Sequence, residues 1–172
     1  MKGFIAALAI VAMVPAAQAA EVVALGASNT AGRGYGQHSA GVDTDQAFPA
    51  QLERMLREKG CNVTVLNAGR AGDTTEWMRA READVIASDT KVLILENPKP
   101  NDLIRHVTNN AENVEAIKAF AQSRGVKVVP LGNFASVAGE HAAGDGQHFD
   151  AEGHQAMARY LLPAVKAALR CR

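Results

Sequence analysis

Four short apolar runs, separated by longer amphipathic stretches, constrain the fold of this chain more than any other feature of its sequence. The runs lie at residues 21–25, 62–66, 91–95 and 126–130 and are rich in valine and leucine. Apolar strands that alternate with helices are typical of a parallel sheet that is covered on both faces. We therefore predict that these four runs are parallel strands.

The stretches between the runs have the spacing of amphipathic helices. Residues 46–59, 74–87, 110–124 and 151–170 carry apolar side chains three or four positions apart. Asp73 is the candidate N-cap of the second stretch. The alternation of strands and helices predicts an α/β protein, a flavodoxin-like three-layer α/β/α sandwich with a parallel sheet of four to five strands.

The N-terminus has the pattern of an export signal. Lys2 precedes an apolar run over residues 4–14, which is too short to span a bilayer, and residues 17–19 read AQA, a small-x-small cleavage pattern. We predict that residues 1–19 are a signal peptide and that residues 20–172 form one domain, found in the periplasm or secreted. The alternative is a buried N-terminal helix.

The charge and hydropathy of the chain indicate which kinds of molecule it can bind. The chain has 18 basic and 18 acidic residues and a formal net charge of zero, so bulk charge does not indicate a partner such as nucleic acid. Beyond the N-terminus, no apolar run is long enough to cross a membrane. We expect a small-molecule partner, no nucleic acid, no stable membrane insertion and a monomer.

Polar and glycine-containing segments follow three of the predicted strands, and a fourth such segment precedes the last helix. They cover residues 26–30, 67–74, 96–102 and 145–148. In open parallel sheets, ligands bind beyond the carboxyl ends of the strands. We therefore expect the four segments to converge on one rim of the sheet.

These segments contain the residue types that ester hydrolysis needs. Ser28 supplies a hydroxyl, His148 can accept its proton, and Asp145, three residues earlier, can orient the imidazole. The backbone N–H groups of Ser28 and Gly72 and the side-chain amide of Asn101 are candidate donors to the oxyanion. The pattern predicts cleavage of ester or thioester bonds through an acyl-enzyme.

The same residues resemble the conserved blocks of the SGNH (GDSL-like) serine hydrolases, which are named after a serine, a glycine, an asparagine and a histidine. In the family's chain order these fall on Ser28, Gly72, Asn101 and His148, with Asp145 as the acid of the triad. The strings NAGRAGDTT and DGQHFDAEGH are similar to the second and fifth blocks. The resemblance implies a carboxylic ester hydrolase (an esterase, thioesterase or lysophospholipase-like enzyme) without cofactor or metal. The shortness of the chain favours small, short-acyl substrates.

Several positions depart from the family pattern. Ala27 stands where an aspartate is usual, Pro98 and Pro100 stand where a glycine is usual, and Phe149 stands where a proline is common. We expect Ala27 to affect the order of the loop more than the chemistry. Because few residues separate the fourth strand from Asp145, we expect the family's fifth strand to be missing or vestigial.

Two other classes of function remain open at this point. A non-catalytic module that binds an acylated sugar on the same fold is favoured by Ala27 and Pro100. A flavodoxin-like nucleotide or flavin binder is disfavoured, because the glycines of residues 32–36 match no phosphate-binding motif.

We assign no catalytic or metal-binding role to the remaining histidines or to the tryptophan. His38, His106 and His141 lack the spacing of metal ligands, and we expect them on the surface. We expect His154 to be a buried structural histidine and Trp77 to be a packing residue.

The chain has two cysteines, Cys61 and Cys171. In an oxidising compartment they can form a disulfide, although two distant cysteines can also remain reduced. Cys61 begins the second predicted strand and Cys171 follows the last helix. Helices in this fold run antiparallel to the strands, which brings both cysteines to the edge opposite the candidate site. We predict that they form a disulfide.

Overall fold

The structure is a computed structural model, and it describes residues 21–34 and 40–171. The predicted signal peptide, residues 1–19, lies outside the described residues, as does His38.

One four-stranded parallel sheet forms the centre of the described domain. Its strands are β1 (Val22–Gly26), β2 (Val65–Gly69), β3 (Val92–Leu95) and β4 (Lys127–Pro130), in the order β2-β1-β3-β4. Val23 of β1 is aligned with Leu66 of β2 on one side and with Leu93 of β3 on the other. Every residue of β1 and β3 is buried, because both strands are central and both faces of the sheet are covered.

Helices connect the strands and follow the last one. Within the described residues they are α1 (Ser28–Ala31), α2 (Phe48–Glu58), α3 (Thr75–Ala80), α4 (Glu82–Val85), α5 (Lys99–Ile104), α6 (Asn110–Ser123), α7 (Phe134–Ala138) and α8 (Ala151–Leu169). The helices α2, α7 and α8 pack on one face of the sheet against Val22 and Ile94. The helices α3 and α6 pack on the other face against Val23 and Leu93. The predicted three-layer α/β/α fold is confirmed, with a sheet of four strands.

The three long helices follow the predicted amphipathic pattern. α2, α6 and α8 lie within the predicted residues 46–59, 110–124 and 151–170. In α8 the residues Met157, Leu161 and Val165 recur every fourth position and are almost fully buried. Removing a buried leucine side chain beyond its Cβ typically costs about 2–5 kcal/mol, so this stripe accounts for the docking of the helix.

The second strand begins later than predicted. The expected strand at residues 62–66 was too early by three residues, since β2 covers Val65–Gly69. Its pairing with β1 continues through Asn67 to Gly69, which is aligned with Gly26. Ladder pairing depends on backbone groups, so the strand extends into a polar segment that the hydrophobic pattern does not mark.

The predicted helix at residues 74–87 is divided at Arg81 into α3 and α4. Its cap also differs from the prediction. Thr74 is the N-cap and its side chain accepts a hydrogen bond from the Trp77 N–H at 3.3 Å. Asp73 instead forms an ion pair with Arg81. Trp77 is not a core packing residue, because it is 46% exposed and its ring lies under the Arg105 guanidinium.

A disulfide closes the edge of the domain opposite the carboxyl ends of the strands. It joins Cys61, which precedes β2, to Cys171, which follows α8, and their Cα atoms are 5.4 Å apart. Cys61 is buried in the core cluster and Cys171 packs against it.

We predict that the double variant Cys61→Ala and Cys171→Ala unfolds more easily than the oxidised protein. A bridge between positions 110 residues apart restricts the unfolded chain, and the chain-entropy model gives up to about 4–5 kcal/mol for a loop of this size. Urea denaturation of the oxidised protein and of the variant measures the difference. Alkylation of two thiols in the oxidised protein without prior reduction would contradict the bridge.

Candidate active site

Three of the four polar segments line one cavity beyond the carboxyl ends of the strands. Its volume is about 330 Å³, at the lower end of the range typical of small-molecule sites. The lining residues are Ser28, Asn29, Glu96, Pro98, Pro100, Asn101, Ile104, Gly146 and Gln147. The fold therefore brings Ser28, Asn101 and the segment that carries Asp145 and His148 to one place.

The backbone places Ser28 at the start of α1, two residues after the end of β1. Ala27, between them, is buried, and Ser28 is partly exposed in the cavity. Within the described residues, no hydrogen bond joins the Ser28 and His148 side chains. Hydrogen bonds between a nucleophile and its base are often long or poorly aligned in a substrate-free enzyme, so this geometry is compatible with a catalytic pair.

Asp145 and His148 form a local hydrogen-bonded unit. Asp145 Oδ2 lies 2.6 Å from His148 Nδ1, and Asp145 Oδ1 accepts hydrogen bonds from the backbone N–H groups of Gln147 and His148, each at 2.9 Å. The hydrogen bond from the His148 side chain, supported by the two backbone N–H groups, lowers the pKa of Asp145 well below its ordinary value. An ionised carboxylate only accepts hydrogen bonds, so His148 Nδ1 carries a proton and Nε2 of the neutral ring remains a proton acceptor.

Phe149 anchors this unit to the core. Its ring is buried and stacks on Phe134, with centroids 4.6 Å apart. The His148 carbonyl accepts a hydrogen bond from the Ala143 N–H at 2.8 Å. The aromatic residue at position 149 therefore fixes the chain directly after His148 by packing.

A buried ion pair connects the second polar segment to the first. Asp73 Oδ2 accepts hydrogen bonds from Arg81 Nε at 2.9 Å and Nη2 at 2.6 Å. The same Nη2 donates to the Gly26 carbonyl at 3.2 Å. Both side chains of the pair are more than nine-tenths buried. Sequence reasoning missed Arg81, although its place three residues after the buried Met78 puts a charge on the inner face of the predicted helix.

Asn101 joins the third polar segment to the second. Its Nδ2 donates to the Asp73 carbonyl at 2.8 Å, which leaves the second N–H of the amide for another acceptor. The neighbouring residue Asp102 is buried and accepts hydrogen bonds from the Thr75 N–H at 2.8 Å and from Asn110 Nδ2 at 2.8 Å. Neither Asn101 nor Asp102 occupies the N-cap position of a helix, since both lie inside α5.

Gly72 lies in the turn between β2 and α3 with a φ of +81°, a conformation that favours glycine. Within the described residues, the N–H groups of Gly72 and Ser28 donate no hydrogen bond, so both remain free to bind an acceptor. Gly72 does not line the cavity directly. It is connected to the cavity through the hydrogen bond from Asn101 to the carbonyl of the next residue.

His154 is buried, as predicted, and serves the packing of α8. Its Nδ1 accepts a hydrogen bond from the Phe48 N–H at 3.2 Å, and its ring lies edge-on to Phe134 at 5.0 Å between centroids. Burial lowers the pKa of His154 to about 4. The exposed His106 and His141 lie on the surface, also as predicted.

The described residues contain one group of side chains close enough together to share a metal ion. His141, Asp150 and Glu152 have ligand atoms within 4.8 Å of one another. Asp150 is also the N-cap of α8 and accepts from the Gly153 N–H at 2.9 Å. The partial positive charge at this end of a long helix opposes a cation, and His141 and Glu152 are exposed.

Comparison with known proteins identifies the family. Residues 22–111 match the family of GDSL-like lipases and acylhydrolases. The match covers more than half of the chain and includes Ser28, Gly72 and Asn101. The chain belongs to the GDSL-like lipase/acylhydrolase family.

This GDSL-like protein is similar in sequence to a known esterase and similar in fold to esterases of known structure. Esterase TesA of Pseudomonas aeruginosa is 30% identical over 94 residues, which are 54% of this chain and 47% of TesA. The chain therefore matches about half the length of that curated relative. A crystal structure of a protein named TesA has a TM-score of 0.72 at 20% identity, and the alignment covers 86% of this chain and 98% of the chain in that structure. The esterase AlinE4, an SGNH hydrolase, has a TM-score of 0.55 at 26% identity and covers 88% of this chain and 72% of AlinE4.

The stability of this GDSL-like protein is predicted to fall as the pH drops from about 6.5 towards 4 because of His154. Its pKa is about 4 in the folded protein and about 6.5 in the unfolded chain, so the neutral ring stabilises the fold above pH 6.5. This difference in pKa contributes about 3 kcal/mol to the free energy of unfolding at neutral pH. The contribution is lost as the pH falls, because the unfolded chain binds a proton at a higher pH than the folded protein does.

Urea denaturation at pH 7 and at pH 4.5 measures this loss in the wild type and in His154→Asn, whose amide oxygen can still accept from Phe48. The Asn variant is expected to show a smaller pH dependence. The exposed His106→Asn variant is the control and is expected to behave as the wild type. Equal pH dependence in His154→Asn and the wild type would rule out this role for His154.

Proposed function

We propose that the protein is an exported serine hydrolase that cleaves carboxylic ester bonds through an acyl-enzyme. One observation carries this proposal. Gly146 and Gln147, which lie between the hydrogen-bonded residues Asp145 and His148, line the same small cavity as Ser28 and Asn101. Membership of the GDSL-like lipase/acylhydrolase family supports the same chemistry. The family match ends at residue 111, so the roles of Asp145 and His148 rest on their geometry and on the resemblance of their segment to the family's fifth block.

In the proposed reaction, Ser28 Oγ attacks the carbonyl carbon of the ester while His148 Nε2 takes the hydroxyl proton. Asp145 remains ionised, holds Nδ1–H of the ring and stabilises the imidazolium that forms. The carbonyl oxygen becomes an oxyanion and accepts hydrogen bonds from the free N–H groups of Ser28 and Gly72 and from the Asn101 amide.

The tetrahedral intermediate then breaks its bond to the leaving oxygen. That oxygen takes the proton from His148 and departs as the alcohol, which leaves the acyl group on Ser28. A water molecule gives its proton to His148 Nε2 and attacks the acyl carbon. Breakdown of the second intermediate releases the carboxylic acid and returns the proton to Ser28.

The cavity supports small ester substrates. Its volume of about 330 Å³ leaves room for a short acyl group. Pro98, Pro100 and Ile104 provide apolar surface beside Ser28, and Asn29 and Gln147 provide polar groups. We propose esters or thioesters of short acyl chains as the substrate class.

We also propose that the mature protein is exported and monomeric. The pattern of residues 1–19 supports export, and a disulfide between Cys61 and Cys171 is suited to an oxidising compartment. None of the helices in the described part of the chain combines the length and apolar character that a membrane span requires.

We predict that Ser28→Ala and His148→Ala each abolish hydrolysis of p-nitrophenyl acetate. Removing either partner of the proton transfer is expected to cost several orders of magnitude in rate. A serine-directed fluorophosphonate is expected to label the wild type on Ser28, as read by mass spectrometry of the peptide. His141→Ala, an exposed histidine outside the cavity, is the matched control and keeps full activity.

Two outcomes would count against this assignment. A Ser28→Ala or His148→Ala variant that is folded by circular dichroism and retains wild-type activity would remove that residue from the triad. A folded wild type that neither turns over esters nor is labelled would instead favour the alternative, a non-catalytic module that binds an acylated sugar.

We predict that Asn101→Ala lowers kcat by roughly 10²–10³-fold with little change in KM, as expected for the loss of one oxyanion donor. The exposed Asn97→Ala variant, in the same polar segment, controls for a general disturbance of the loop. An unchanged kcat in Asn101→Ala would leave Asn101 only its hydrogen bond to the Asp73 carbonyl.

A further inference from the structure

A buried carboxyl group lies directly beneath the turn that carries Ser28. Glu96 follows β3 and is 7% exposed. One of its oxygens, Oε2, accepts three hydrogen bonds, from the Ala27 N–H at 2.8 Å, the Thr30 N–H at 3.1 Å and Thr30 Oγ1 at 2.6 Å. The donors come from residues on both sides of Ser28, so one oxygen atom holds both ends of the nucleophile turn.

The surrounding backbone is shaped to admit this side chain. A Cβ atom at Gly26 would collide with the Glu96 side chain and with Thr30 Oγ1. The absence of a side chain at position 26 therefore provides the space that the carboxyl group occupies. Ala27 contributes only its N–H to the contact, at the position where the family's pattern usually has an aspartate.

The three groups that donate hydrogen bonds to Glu96 Oε2 are all neutral. Burial raises the pKa of Glu96 above its ordinary value, and the hydrogen bonds from Thr30 and Ala27 oppose this effect in part. The uncharged oxygen of an amide at this position can still accept hydrogen bonds from these donors.

We propose that Glu96 is the positioning residue of the nucleophile. Its Oε2 atom fixes the backbone around Ser28, so that the hydroxyl and the N–H of Ser28 are held in the geometry that attack and oxyanion binding require. This inference rests on the proposed function of Ser28. It assigns Glu96 no contact with the reacting atoms.

The inference predicts different effects for two substitutions. Glu96→Ala removes the acceptor and is expected to lower kcat and the rate of fluorophosphonate labelling by about 10–100-fold with little change in KM, because small displacements of a reacting group cost rate. Glu96→Gln retains an amide oxygen at the same reach and is expected to stay within about threefold of the wild type. Thr30→Val removes one of the three donors and is expected to lie between them.

A control separates positioning from loss of stability. Leu56→Ala removes a fully buried side chain of α2 far from the cavity. It is expected to lower the melting temperature and to keep the wild-type labelling rate per folded molecule. All rates are therefore measured at a temperature where each variant is folded, with the folded fraction determined by circular dichroism.

Amide hydrogen exchange provides a readout that does not depend on activity. The N–H groups of Ala27 and Thr30 are expected to exchange slowly in the wild type and in Glu96→Gln, and much faster in Glu96→Ala. If the wild type is inert towards esters and fluorophosphonate, the proposed function fails, and the exchange measurement still decides whether Glu96 holds the turn. A folded Glu96→Ala variant with wild-type labelling and exchange overturns the inference. A Glu96→Gln variant as slow as Glu96→Ala also overturns it, because the charge and not the acceptor oxygen would then be required.

Discussion

The arrangement of the candidate site depends on the hydrogen bonds made by the guanidinium group of Arg81. It forms a buried ion pair with Asp73 and also donates a hydrogen bond to the Gly26 carbonyl. The Asp73 carbonyl in turn accepts from Asn101. Three loops that follow three different strands are thereby connected through two residues. Breaking such a pair by removing one partner leaves a buried charge without compensation, which typically costs about 3–5 kcal/mol.

Two further carboxyl groups lie buried near this pair, and each has a different task. Glu96 holds the turn around Ser28 with neutral donors. Asp102 connects α5 to α3 through Thr75 and to the start of α6 through Asn110. Neither forms an ion pair within the described residues, so their hydrogen bonds must offset the cost of burial. A polar network that is satisfied in this way is rigid, which suits a site where donors must be oriented before the reaction begins.

The Asp145–His148 pair follows a different principle, because it is local in sequence. Its three hydrogen bonds close within a single turn, and the turn is connected to the core mainly by the packing of Phe149 on Phe134. The proposed site thus combines two parts. The candidate nucleophile and oxyanion donors are held by a buried long-range network, and the candidate base is held by a short-range turn. Ser28 and Asn101 line one cavity because β1 and β3, which they follow, end at the same edge of the parallel sheet, and Gly146 of the short-range turn lies against them.

The sequence by itself determined the class of fold, the order of its elements and the candidate residues. Hydrophobic periodicity is a local property, so the stripes of α2, α6 and α8 and the cores of β1 and β3 could be identified from residue spacing. Ser28, Gly72, Asn101, Asp145 and His148 could be selected because their residue types and order resemble a known family. The Asp145–His148 contact was also predictable, since three residues separate the partners.

Only the tertiary structure decided the features that depend on contacts between distant segments. The extension of β2 to Gly69 follows from backbone pairing with β1, which apolar residues do not mark. The division of the predicted helix at Arg81 accompanies an ion pair that moves Asp73 away from its predicted role as a cap. The role of Glu96 requires Gly26 and Thr30, about seventy residues away, to leave it space and donate to it. Such contacts leave no regular spacing in the sequence. A buried charged side chain needs a hydrogen-bonding partner, and the tertiary fold decides which residue that partner is.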